Sequence, residues 1–174
     1  MTMKDNIIRW GMLVFLSVLI IGVLLAGCGG SGEQGTSSAT KHYAENGISF
    51  DYPNTWGAGN SSDPNAIAAL VSPSTGVFVV VLKETMPSGY TLKIFNDETV
   101  MSMNPTQMIS GTFPTVAEVP ACESVFKTND SQMRTVILEK NDNIYVIICS
   151  APVATFDNAQ TSFNMVINSF QVQA

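Results

Sequence analysis

Hydrophobic and polar positions change rhythm several times along the chain, and each change marks an element. Residues 10–26, WGMLVFLSVLIIGVLLA, are apolar with no charge, and residues 29–40, GGSGEQGTSSAT, hold no large apolar side chain. From Gly47 to Pro53 apolar Ile48, Phe50 and Tyr52 alternate with Ser49 and Asp51, which predicts a strand ending at the proline. Residues 66–72, AIAALVS, run into the turn cluster Ser-Pro-Ser-Thr-Gly, and residues 77–82, VFVVVL, follow. The spacing predicts a hairpin, and the unbroken β-branched run predicts a second strand covered on both faces.

Residues 91–103, TLKIFNDETVMSM, place Leu92, Phe95 and Met103 near one helical face, and Pro105 forbids simple continuation. Residues 106–120, interrupted by Gly111, Pro114 and Pro120, read as irregular. Three strand patterns follow at 122–127, 133–140 and 144–151, joined by Asn129-Asp130-Ser131 and Asn141-Asp142-Asn143, residues that tolerate tight turns. Pairing Thr128 with Gln132 and Lys140 with Ile144 makes them a meander. It places Val136, Leu138, Ile144, Val146 and Ile148 on one face and Val125, Ile137, Tyr145 and Ile147 on the other. Thr155 is positioned to cap a helix in which Phe156, Ala159, Phe163, Val166 and Ile167 recur at helical spacing, leading to Phe170 and Val172. The sum is an α+β fold, a sandwich on a mainly antiparallel sheet of about six strands.

Ahead of the domain, Lys4 and Arg9 precede the apolar run, and Leu25-Ala26-Gly27-Cys28 closes it. A basic start, an apolar middle and small residues at the end are what a signal peptide requires. The last four residues resemble a lipobox, in which the cysteine thiol is alkylated by lipid and the chain is cut before it. Residues 1–27 are therefore expected to be a signal peptide, Cys28 the lipidated residue, 28–40 a flexible tether and 41–174 the domain. The expected location is the outer face of the cell membrane. The alternative is an uncleaved signal anchor, because the run barely matches a hydrocarbon core of ~30 Å.

Charge narrows the partners. The whole chain carries 8 basic and 14 acidic residues, for a net charge of −6. Without Lys4, Arg9 and Asp5, six basic and thirteen acidic residues remain, a net charge of −7. Such a surface repels phosphate backbones, so no nucleic acid is expected as partner. Of the three cysteines, Cys122 and Cys149 remain after lipidation. The expected meander puts them on opposite sheet faces with a strand between, which favours two buried free thiols over a disulfide.

Chemistry is sparse. His42 is the only histidine, which leaves no histidine pair for a metal and no defensible catalytic dyad. It reads as a solvated residue at the tether's edge, and Asp51 as a solvent-facing strand residue. Asp97, Glu98 and Asp142 do not compose a calcium loop. No catalytic residue, metal ligand or cofactor is expected. Asn60-Ser-Ser and Asn129-Asp-Ser are acceptor triplets for N-linked glycosylation, both in expected turns.

The stretch Gly47-Ile-Ser-Phe-Asp-Tyr-Pro-Asn-Thr-Trp56, the meander, and the closing Phe163…Ile167-Asn-Ser-Phe170 together resemble the PsbP-like (Mog1/PsbP) family. The resemblance is to the small PsbP-related lipoproteins of methanogenic archaea in particular, and it spans residues 43–172. It implies an α/β/α sandwich, Trp56 packed beneath the first strand, and non-enzymatic work. The plant members support photosystem II, and the Mog1 branch binds a small GTPase. The photosystem proteins' metal-linked histidines have no counterpart here, and a GTPase partner does not suit an extracytoplasmic address. What the resemblance implies is a binding and assembly domain for an unknown protein or small ligand. The competing reading is an extracytoplasmic hydrolase or other enzyme with an unrecognised site.

Overall fold

The computed structural model describes residues 39–173. The expected signal peptide, Cys28 and nearly all of the tether lie outside the described residues. No described helix is long and apolar enough to cross a membrane.

Among the described residues eleven strands and two helices follow one another. They are β1 (Thr40–Glu45), β2 (Ile48–Pro53), β3 (Gly57–Ala58), β4 (Ala66–Val71), β5 (Phe78–Glu84), α1 (Leu92–Ser102) and β6 (Gln107–Thr112). Then come β7 (Thr115–Val116), β8 (Val119–Lys127), β9 (Ser131–Lys140), β10 (Asn143–Pro152), α2 (Phe156–Ser169) and β11 (Gln171–Val172). The large sheet runs β3-β4-β5-β10-β9-β8-β6, with β7 paired to β8, and a small sheet runs β1-β2-β11. Every pairing is antiparallel. The α+β class stands, but the strands outnumber the expected six.

The additional strands are polar or short. β1 reads TKHYAE with only Tyr43 half-buried, and β6 reads QMISGT with every residue exposed. Neither carries the alternation by which a half-buried strand is recognised, so 106–120 looked irregular from its Gly and Pro content. Asn46 and Gly47 have φ of 53° and 76° between paired Glu45 and Ile48, a two-residue turn that twists in the sense its strands require.

The large sheet is apolar on both faces, as its runs of hydrophobic residues demand. One face carries Val79, Val81, Val136, Leu138, Tyr145, Ile147 and Cys149, covered by Phe156, Phe163, Val166 and Ile167 of α2 and by Ile48 and Phe50 of β2. Aromatic rings stitch this layer: Phe50 stacks on Tyr43 with centroids 4.9 Å apart and on Phe170 at 6.3 Å, and Tyr145 meets Phe170 edge-on at 6.0 Å. Trp56 is 5% exposed and belongs to this core, as the resemblance implied. The other face carries Val80, Leu82, Ile137, Ile144, Val146 and Ile148, with Leu92, Phe95 and Met103 of the α1 segment packed against it. Asn96 of α1 is buried and exchanges hydrogen bonds with Ser124 of β8 at 3.2–3.3 Å, a polar pin within that layer.

Two expectations are corrected in register. Lys140 pairs with Asn143 rather than Ile144, and Lys127 with Gln132 rather than Thr128 with Gln132. Asn141 and Asp142, at φ 54° and 59°, form a two-residue turn where a three-residue one was expected. A one-residue slip inverts a strand, so Val136 and Leu138 of β9 lie with Tyr145 and Ile147 rather than with Ile144, Val146 and Ile148. The two slips cancel between β8 and β10. Cys122 therefore still lies opposite in face to Cys149, and both are buried free thiols. The third correction is Thr155. It occupies the N-cap position of α2 but makes no cap bond, since its hydroxyl donates to Pro152 O at 3.2 Å. The helix with a side-chain cap is α1, where Thr91 Oγ1 accepts from the Ile94 N–H at 3.3 Å.

Candidate functional site

His42 is not a tether residue. It sits on β1 directly across from Asp51 on β2, and Nδ1 lies 2.7 Å from the carboxylate. Both side chains are open to solvent, as was expected of Asp51. Ser169 comes near, but in a supporting role. Its Oγ accepts from the Asp51 N–H at 2.8 Å and gives its own proton to Met165 O at 2.6 Å. The hydroxyl is thus held as a clamp between the end of α2 and β2.

A second polar group joins the meander to α2. Arg134 on β9 donates from Nε and Nη2 to one oxygen of Glu123 on β8, at 3.0 and 2.7 Å. Its Nη1 donates to Gln160 Oε1 at 3.2 Å and Asn164 Oδ1 at 2.7 Å, both on α2. The ion-paired side chains are only 14% and 15% exposed. Cys149 pairs directly with Arg134 across the sheet, yet burial pushes its thiol up to about 12, the nearby guanidinium offsetting only part of this. Burial also raises Cys122. Neither thiol is poised as a nucleophile. Sequence reasoning missed Arg134, Gln160 and Asn164. The i, i+4 spacing of the two amides on α2 was the available signal, but only the fold brings a guanidinium to them.

The acidic residues weighed for calcium are separately engaged. Asp97 pairs with Lys93 at 2.6 Å, Glu98 accepts from the Tyr90 hydroxyl at 2.8 Å, and Asp142 sits in the β9–β10 turn. Among the described residues no group of three or more His, Cys, Asp or Glu is placed to hold a metal. Asn60, between β3 and β4, and Asn129, in the β8–β9 turn, are both exposed.

The surface offers more than the titratable groups do. Six large apolar side chains are exposed among the described residues: Ile94, Met101, Met108, Ile109, Phe113 and Val153. Four of them fall between Met101 and Phe113, on the end of α1 and along β6. Among the described residues that strand is the outer edge of the large sheet, with β8 as its one neighbouring strand, so its other backbone side faces outward. It bears no charge. The register shifts between Met108 and Ser110, which makes Ile109 the bulged residue. Phe113, just beyond the strand, is 73% exposed. The surface of the described residues also carries shallow depressions. One of about 290 Å³ is lined by Tyr43, Gly59, Ser61, Asp63 and neighbouring β4 residues. Another, about 270 Å³, opens beside the start of α2.

No family model matches the chain, and no curated protein matches it in sequence. Solved structures do. The cyanobacterial PsbP of Synechocystis sp. PCC 6803 aligns with TM-score 0.58 at 16% identity, over 85% of this chain and 98% of its own. The Ran-binding protein Mog1p of Saccharomyces cerevisiae aligns with TM-score 0.58 at 11% identity, over 78% and 96%. LpqN of Mycobacterium tuberculosis, involved in cell envelope biogenesis, aligns with TM-score 0.54 at 13% identity, over 78% and 90%. The fold is therefore of the Mog1/PsbP type.

Proposed function

We propose that this chain is a membrane-tethered extracytoplasmic lipoprotein, held by a lipid on Cys28, whose domain works by non-enzymatic binding and assembly. The observation that carries the binding role is the uncharged edge strand β6, with Met101, Met108, Ile109 and Phe113 exposed along its segment. An extended segment of a protein partner can add a strand to such an edge while the apolar side chains supply contact area. The fold shared with a Ran-binding protein and with an envelope-biogenesis protein supports a partner-binding use of this scaffold. The address rests on Lys4, Arg9, the apolar run and Leu25-Ala26-Gly27-Cys28.

Proximity labelling in the native membrane, followed by pull-down with the full chain, tests the binding role. A partner is expected with the wild type, and Met108→Lys together with Phe113→Asp is expected to weaken its recovery about tenfold or more. Absence of any neighbour, with turnover of a small substrate that the edge variants leave unchanged, favours the enzyme reading instead. Cys28→Ser tests the anchor separately: a lipoprotein loses its lipid and its cleavage before residue 28, whereas a signal anchor is unaffected.

A further inference from the structure

We infer that the cleft beside the start of α2 is a binding site for neutral carbohydrate, sized for a single sugar ring. Three separate pieces of chain build it: Thr55 and Trp56 after β2, Ser72 to Val77 between β4 and β5, and Thr155 to Ser162 at the start of α2. Trp56, Val77 and Ala159 are buried and supply the apolar floor. The remaining lining is hydroxyl and carboxamide, and no titratable side chain takes part.

The availability of those polar groups distinguishes this cleft from ordinary turn packing. Ser72 and Thr75 bond each other at 2.8 Å, and Thr155 is turned to Pro152. Thr55, Ser74, Asn158 and Ser162 make no side-chain hydrogen bond within the described residues. Four neutral groups that both donate and accept thus ring an apolar floor. The uncapped first turn of α2 adds backbone N–H donors at the same end.

Charge selects the class of ligand. A helix N-terminus ordinarily favours an anion, but Asp157 already occupies the first turn of α2 and no cation lines the cleft. A phosphate or carboxylate is disfavoured there. The walls are a turn and a helix rather than an open strand edge, so an extended peptide finds no ladder to join. At about 270 Å³ the cleft lies just below the ~300–1,000 Å³ of drug-sized pockets. A pyranose, with hydroxyls at its rim and a C–H face, matches both the ring of polar groups and the floor.

The test uses the full chain carrying Trp10→Phe, so that Trp56 is its single tryptophan, in a zwitterionic detergent without sugar headgroups. Trp56 emission is followed during titration with glucose, galactose and N-acetylglucosamine, and with inorganic phosphate and tetra-alanine amide as comparators. The expected result is a saturable change with at least one sugar at about 1–10 mM, typical of single-ring ligands held by a few hydrogen bonds. Ser162→Phe is expected to abolish it, and Asn158→Ala to weaken it about threefold to tenfold. Should Ser162→Phe not fold by circular dichroism, Asn158→Ala and Ser74→Ala carry the test. Phe113→Asp, on the β6 side, is expected to leave the titration unchanged, which separates this site from the docking edge. The inference is overturned by the absence of saturation with all three sugars at about 100 mM. It is equally overturned by a sugar response that the cleft variants leave unaltered, or by saturation with phosphate or the peptide alone.

Discussion

Arg134 shows how much one side chain can organise. Its guanidinium donates to groups on two other elements, Glu123 on β8 and the amides of Gln160 and Asn164 on α2. An arginine in a strand otherwise facing the core would ordinarily carry a desolvation cost, which here is offset by a paired charge and two carboxamides. Truncating it strands the Glu123 carboxylate at 15% exposure. Arg134→Ala is expected to lower stability by about 3 kcal/mol, read as a fall in the urea midpoint. Glu123→Gln combined with Arg134→Met is expected to recover most of that loss, because no charge is then left unpaired. A full loss in the double variant would mean that the amide contacts, rather than the ion pair, fasten α2. Apart from the spacing of Gln160 and Asn164, this cluster was not legible in the chain. Glu123 and Arg134 are eleven positions apart and become neighbours only through the β8–β9 register, whereas the packed Trp56 and the phenylalanines of α2 announced themselves by spacing.

Turns decided which elements the chain revealed. Hydrophobic periodicity located β2, β4, β5, the three meander strands and both helices, because each buries a face or stripe whose spacing is set by backbone geometry. It did not locate β1 or β6, which bury almost nothing, and it could not set register, since three polar residues between strands allow loops of two or three. Asn46-Gly47 was the readable signal for β1. The β7–β8 turn is a different case. Ala117 and Glu118 stand at φ 50° and 67°, where neither residue is comfortable, and Lys140 Nζ donates to the Ala117 carbonyl at 2.7 Å. That bond pins a turn which the local sequence opposes. Glu118 is exposed, so replacing it tests backbone strain with little loss of packing. Glu118→Gly is expected to raise stability by about 1 kcal/mol in urea unfolding, and a destabilised variant would show that the turn carries no strain at this position.

At the scale of the molecule, α2 and the small sheet cover one face of the large sheet and α1 the other, and the end of β5 leaves a titratable group half-buried. Glu84, at the end of β5, has its carboxyl held above the usual range by burial first and by the nearby Asp63 charge second, against a hydrogen bond with Asn65 that lowers it. A carboxyl raised on folding binds its proton more tightly in the folded chain. Its favourable contribution is present below the unfolded value, about 4.3, and is lost as pH rises through the higher folded one. Glu84→Gln is therefore expected to raise the melting temperature at pH 7 and to have little effect below about pH 4. An equal gain at both pH values would rule out ionisation as the cause. The order of elements has a further consequence. Among the described elements, the small sheet is made by the first two strands and the last, and α2, which roofs the Phe163 side of the core, is the penultimate one. A chain made from its N-terminus thus cannot close this core until α2 and β11 arrive. Until then the Val79–Leu138–Ile147 surface lacks its α2 cover, and the segment Phe156–Val172 acts as a latch on the strands made before it. Closure of this core is thereby deferred until α2 and β11 have been made, however early the meander strands are ready to pair.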